Sequence, residues 1–143
     1  MKVTKPVFVD TGAWIALVIE RDHLHARAAA YGIGLARDRV PLVTTNYVFT
    51  EAYTRVLYEV GHAQALAFDE RIQELMNRNR LKLVWISSQI HAQALTIFRK
   101  YADQSFSITD CTSFVVAQTR AIREVFGFDQ SFSTMGFILR PGL

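Results

Sequence analysis

Short apolar runs alternate along this chain with longer stretches of helical period. Val7–Phe8–Val9 is β-prone and is cut off by Asp10–Thr11–Gly12, after which Ala13 to Glu20 reads as a helix. Asp22 is placed to cap a second helix from His23 to about Asp38. Pro41–Leu42–Val43 is a second short strand, and Thr45 or Asn46 would cap a helix that runs through Glu51 to about Val60, where Gly61 breaks it. His62 to Asn79 repeats the helical period, with Ala65, Phe68, Ile72, Leu75 and Met76 on one face. Leu81 to Ile86 predicts a third strand, and Ser87 or Ser88 would cap a helix to about Tyr101. A polar loop from Ala102 to Thr109 leads to a helix from Asp110 to about Ala121. Val125 to Phe128 is then a strand that stops at Asp129, and Phe137 to Leu139 a last strand candidate.

Strands alternating with helices predict an α/β domain with a short, mainly parallel central sheet. The strands are apolar on both alternating positions, as strands covered on both faces must be. Ligands of such sheets sit beyond the carboxyl ends of the strands. Two acids fall at that address, Asp10 after the first strand and Asp129 after a late one.

At 143 residues, half of them hydrophobic, the chain can bury the core of one domain, and its ten Phe argue against disorder. The single Cys, Cys111, excludes an internal disulfide framework and a Cys-rich zinc module. A reducing, cytoplasmic setting fits that usage. Sixteen Lys and Arg face 13 Asp and Glu, a net charge of +3. The cations are mostly Arg, which suits phosphate, but so small an excess shifts the odds towards nucleic acid only slightly. No apolar stretch is long enough to predict a membrane span. The apolar run from Val7 to Ile19 resembles a secretory segment only superficially, since Asp10 lies inside it and Glu20–Arg21–Asp22 follow.

Four acids stand where an acid is not the bland choice: Asp10, Glu51 within Val48 to Tyr53, Asp110 at the start of a helix, and Asp129 at the end of a strand. A carboxylate beside buried apolar groups is costly unless paired or bound to metal, and few Lys or Arg lie near these four in sequence. Grouped carboxylates suit Mg²⁺ or Mn²⁺, which can orient and acidify water and neutralise charge on a phosphate. Each acid also has an ordinary structural role open to it. Asp10 and Asp110 could cap helices, Glu51 could be a solvated helix residue, and Asp129 could close an Asx-turn. The set of four is more telling than any member.

The four contexts are Phe8–Val9–Asp10–Thr11–Gly12–Ala13–Trp14, Thr50–Glu51–Ala52, Ser107–Ile108–Thr109–Asp110–Cys111–Thr112–Ser113–Phe114 and Phe128–Asp129–Gln130–Ser131–Phe132, with Gly136–Phe137 after the last. In this order, with separations of 41, 59 and 19 residues between successive acids, the chain resembles a PIN domain, and within that family the toxin ribonucleases of VapC type. The resemblance runs from Val7 to about Leu139. It implies one PIN domain over residues 1–143, folded as a three-layer α/β/α sandwich, and cleavage of RNA with Mg²⁺ or Mn²⁺. By position Asp10, Glu51, Asp110 and Asp129 match the family's catalytic and metal-binding acids, and Thr11 its supporting hydroxyl. A homodimer and a cognate antitoxin protein are also implied. Asp10 and Asp110 would be the most direct metal ligands; Glu51 would act through water or as base, and Asp129 would complete the site.

Asp103 lies seven residues before Asp110, where a supporting role is favoured over direct ligation. His23 and His25 read as a solvent-facing pair, and Cys111 as a buried thiol. Arg21, Arg27, Arg37, Arg39, Arg78, Arg80 and Lys82 are candidates for an RNA path, with a solvated charged face equally open. Tyr47, Phe49, Tyr53 and Tyr58 read as core or dimer interface. A haloacid-type phosphatase would need a second Asp where Gly12 stands, and a receiver domain a late Lys that is missing after Lys100. The remaining alternatives are a PIN nuclease of RNA processing without an antitoxin, and a PIN-like binding module that does not cut.

Overall fold

A computed structural model describes residues 4–142. Five strands, β1 (Val7–Val9), β2 (Leu42–Thr45), β3 (Leu81–Val84), β4 (Glu124–Phe126) and β5 (Ile138–Arg140), form one sheet in the order β3-β2-β1-β4-β5. Every neighbouring pair is parallel. The helices are α1 (Thr11–Val18), α2 (His25–Arg37), α3 (Asn46–Val60), α4 (His62–Asn77), α5 (Ser88–Lys100), α6 (Ile108–Thr119) and α7 (Ser131–Thr134).

All three residues of β1 are buried. Successive strand side chains point to opposite faces, so helices cover the central strand on both sides. On one side Phe8 meets Phe132, their ring centroids 6.4 Å apart, and Phe132 meets Phe114 of α6 at 5.1 Å. Tyr31 of α2 stands edge-on to Phe126 of β4 at 4.8 Å. Each fully buried ring of this set contributes roughly 1.5–3 kcal/mol from removal of apolar surface from water. Helix α6 is buried from Cys111 through Ala117, which makes it an internal helix with a fixed amino terminus.

The boundaries follow local chemistry. Thr45 caps α3 by accepting from the Val48 N–H, and Ser87 caps α5 by accepting from the Ile90 N–H. Gly61 joins α3 to α4 at φ +98°, a backbone region that a side chain would oppose.

Several elements differ from the sequence reading. Helix α1 begins at Thr11, directly after Asp10. Asp22 does not cap α2; its carboxylate accepts from the Leu24 N–H and closes the turn before it. Helix α6 starts two residues before Asp110, because Ser107 is its cap. Strand β4 ends at Phe126, so Asp129 lies in the following turn. The four-residue α7 is too short to show an apolar period.

Candidate active site

Parallel strands place all their carboxyl ends at one edge. From β1 the chain moves to β2 and β3 on one side, while β4 and β5 lie on the other, so the strand order reverses between β1 and β4. That crevice is where open α/β sheets bind ligands. Asp10 is the first residue after β1, and its backbone N–H donates to the Phe126 carbonyl at 2.9 Å, tying it to the end of β4. Asp129 follows β4 by three residues.

Asp10 is 4% exposed and occupies the N-cap position of α1, yet its carboxylate makes no capping hydrogen bond. The capping role open to it in sequence is not the role it plays. Burial pushes its carboxyl up to about 8, the adjacent Thr11 N–H works against that shift, and the charges of Asp110, Asp129 and Glu51 add to it. The Asp110 carboxyl is also raised, first by burial. The Ser107 backbone N–H opposes the rise, and Asp129 and Glu51 reinforce it. The charges of Glu51 and Asp129 thus bear on both Asp10 and Asp110. Asp103 is exposed in the turn after α5, and it is not among the charges acting on Asp10 or Asp110.

Asp110 does two jobs. The Ser107 hydroxyl accepts from the Asp110 N–H and the Asp110 Oδ2 accepts from the Ser107 N–H, both at 2.9 Å, a complete capping box. The box pins the carboxylate and leaves Oδ1 available. Asp129 closes an Asx-turn, its Oδ1 accepting from the Ser131 N–H at 2.9 Å. Glu51 and Asp129 are exposed, so the burial argument made for all four from sequence holds for Asp10 and in part for Asp110.

Among the described residues none of the four acids forms an ion pair with Lys, Arg or His. Four carboxylates without a counter-cation repel one another, and a divalent ion is the chemistry that would relieve it. No three His, Cys, Asp or Glu side chains of the described residues already stand close enough to hold an ion among themselves. Mg²⁺ keeps several waters and takes one or two carboxylates directly, so the donor set fits such an ion in type and charge without a closed cage.

Gly127 and Ser113 carry features that the sequence pattern does not announce. Gly127 packs on the acid site: a Cβ there would lie 3.1 Å from the Asp10 Cβ. An isolated glycine after a strand is the only local signal for such a contact. The hydroxyls of Thr11 and Ser113 are buried and find no hydrogen-bond partner among the described residues. Thr11 adjoins Asp10 and was singled out; Ser113, one turn along α6 from Asp110, was not. Cys111 is buried, its thiol pushed up to about 11 by burial and then by Asp110, so it stays protonated and inert. His25 is not free in solvent: its Nδ1 lies 2.8 Å from the Ala16 carbonyl, whereas His23 is exposed. Phe49 and Tyr53 pack partly buried against the core, and Tyr58 is exposed.

The PIN domain family model matches residues 7–138, from β1 to the first residue of β5, and includes all four acids. The chain belongs to the PIN domain family. One curated relative is the 23S rRNA-specific endonuclease VapC20 of Mycobacterium tuberculosis, 28% identical over 137 residues that cover 94% of this chain and 98% of the relative. The crystal structure of VapC20, described as a sarcin–ricin loop cleaving toxin, superposes with a TM-score of 0.79 at 27% identity, covering 92% of this chain and 96% of that one. VapBC2 from Rickettsia felis, bound to a promoter DNA fragment, gives 0.67 at 12% identity over 94% of this chain and 97% of its own. FitAcB from Neisseria gonorrhoeae gives 0.62 at 17% identity, with 93% and 95% covered. The last two show the PIN fold alone.

Proposed function

We propose that this PIN domain is a divalent-metal-dependent endoribonuclease of VapC type, the toxin of a toxin–antitoxin pair, restrained by a cognate antitoxin and working as a homodimer in the cytoplasm. The observation that carries the reading is the buried carboxyl of Asp10 at the carboxyl end of the sheet, on which the charges of Glu51, Asp110 and Asp129 bear, with no ion pair to any of the four among the described residues. The similarity to VapC20 over nearly the whole length supports an RNA substrate. The match over residues 7–138 supports reading 1–143 as one domain.

Asp10 and Asp110 would hold Mg²⁺ or Mn²⁺ directly, with Glu51 and Asp129 holding its waters. Such an ion, when bound, neutralises charge on the phosphate and acidifies an attacking water. The protein supplies orientation and proton handling. The Asp10 backbone is tied to the end of β4, which fixes where its carboxylate springs from. Asp110 is held by the capping box at the end of a buried helix. Glu51, exposed on α3, is free to take a proton from the attacking water. The Thr11 hydroxyl, buried and without a partner among the described residues, can donate to a carboxylate oxygen there.

The test is cleavage of RNA by the purified chain with Mg²⁺, with Mn²⁺ and with EDTA, beside an Asp110→Asn variant. RNA carrying the sarcin–ricin loop is the first substrate. Cuts that need metal and vanish in the folded variant are expected. Cutting in EDTA, or undiminished cutting by Asp110→Asn, would overturn the reading.

A further inference from the structure

Beside the acids, on the β5 side of the crevice, lies a cavity of about 430 Å³. Gly127 and Phe128, the residues between β4 and Asp129, form its inner wall. Gln130, Ser133 and Phe137 continue the wall around α7, and Arg27 of α2 closes it. Gly127 is also the residue that packs against Asp10, so it borders both the cavity and the first acid.

The lining is mixed in a particular way. Phe128 and Phe137 offer partly buried aromatic surface. The Arg27 guanidinium sits 5.7 Å from the centroid of the Phe128 ring, within cation–π reach. Among the described residues no carboxylate pairs with Arg27, so its charge is available to an anion from outside. Gln130 brings a donor and an acceptor, and Ser133 a hydroxyl that does either. The volume falls in the range of about 300–1,000 Å³ typical of small-molecule sites. It is too small for a duplex and right for one nucleotide.

RNA is read by sequence mainly where it is single-stranded, through bases splayed onto aromatic or Arg planes and bonded along their edges. We propose that this cavity receives one unstacked nucleotide of the RNA, next to the phosphate that is cut. Arg27 takes a phosphate of that nucleotide, Phe128 offers its ring to the base, and Gln130 and Ser133 bond the base edge. This inference rests on the ribonuclease reading of the acids and adds what selects the cut. Gly127 borders both the cavity and Asp10, so a nucleotide in the cavity directs its neighbouring phosphate towards the acids.

The experiment uses an RNA hairpin with a randomised loop, cut by the wild-type chain and by Ser133→Phe, which fills the cavity from an exposed position, and by Gln130→Ala. Sequencing of the products gives the base frequencies beside each cut. A second arm measures binding of a hairpin carrying a fluorescent purine analogue in its loop to Asp110→Asn, with and without Ser133→Phe. The wild type is expected to favour one base beside the cut by roughly tenfold, the scale of one stacked and bonded base. Ser133→Phe and Gln130→Ala should flatten that preference, and Ser133→Phe should weaken hairpin binding by a similar factor. Arg27→Ala should raise KM more than it lowers kcat and reduce the salt dependence of binding. Metal-dependent cutting whose base preference is the same in wild type and Ser133→Phe, or absent from both, would overturn the cavity's role and leave the nuclease standing. Hairpin binding sensitive to Ser133→Phe in a chain that cuts nothing would support the cavity and overturn the nuclease. Binding insensitive to Ser133→Phe would overturn the cavity whatever the cutting shows.

Discussion

A Cβ on Gly127 would lie 3.1 Å from the Cβ of Asp10 and 3.6 Å from its Oδ2. Neither side can yield easily. Asp10 is tied through its N–H to the Phe126 carbonyl, and the Gly127 N–H donates to the Arg140 carbonyl at 3.1 Å. The absence of a side chain at Gly127 is thus what lets a carboxylate stand between β1 and β4. Gly127→Ala should cut RNA cleavage at least about tenfold while costing about 1–3 kcal/mol of stability, the usual cost of overpacking. Rates measured well below the melting temperature, beside a urea titration, check it. An alanine variant with wild-type rates would show that Asp10 can move freely.

That relationship also marks the limit of what the sequence could tell. The strands, the Thr45 and Ser87 caps and the break at Gly61 rest on patterns within a few residues, and they were legible. Strand order was not, because parallel neighbours such as Val9 and Phe126 pair across more than a hundred residues. Gly127 matters only once β4 is known to lie beside β1. Helix α6 starts at Ile108 and not at Asp110, because Ser107–Ile108–Thr109–Asp110 closes a capping box that makes Ser107 the cap and Asp110 the third helical residue. The sequence marks the four acids by their apolar neighbours, but such neighbours do not say which side of a helix or turn faces water, and Glu51 and Asp129 face it.

The capping box makes Ser107 a positioning residue. Ser107→Ala removes the hydroxyl that accepts from the Asp110 N–H and should cost about 1 kcal/mol. It should also lower kcat, because Asp110 loses half of the pair that holds it. Ser107→Thr keeps the acceptor and should restore both. Loss of stability with kcat unchanged would confine Ser107 to a structural role.

A hydrogen-bonded relay supports β1 from behind. The Trp14 Nε1 donates to the Thr44 hydroxyl at 3.4 Å, and that hydroxyl donates to the Val9 carbonyl at 3.0 Å. Thr44 is fully buried. Thr44→Val keeps the shape but strands an indole N–H and a carbonyl, which should cost about 1–3 kcal/mol. Thr44→Ser should recover most of it. A valine variant melting at the wild-type temperature would show that the relay is idle.

Asp10 ties stability to pH. Its carboxyl is at 3.8 when unperturbed and near 8 in the folded chain, so between these values the folded state holds a proton that the unfolded state has released. Folding without metal is therefore most favoured at low pH on this account, and that contribution is lost as pH rises towards 8. Urea titrations in EDTA at pH 5, 6.5 and 8 should show stability falling by a few kcal/mol at most. Asp10→Asn should flatten the fall and be the more stable protein at pH 8. An identical pH slope in the two proteins would mean that Asp10 is ionised in the fold.

The same proton sets the cost of metal binding. To ligate Mg²⁺ or Mn²⁺, Asp10 must be ionised, so binding near pH 7 should release close to one proton and tighten as pH rises. Calorimetry of Mn²⁺ binding in two buffers of different ionisation enthalpy counts that proton directly. Mn²⁺ should also raise the melting temperature most at pH 8, where it offsets the repulsion among Asp10, Asp110, Asp129 and Glu51, and EDTA should reverse the rise. In Asp10→Asn the released proton and most of the affinity should disappear together. Binding that releases no proton in the wild type would place the ion away from Asp10, on the exposed acids alone.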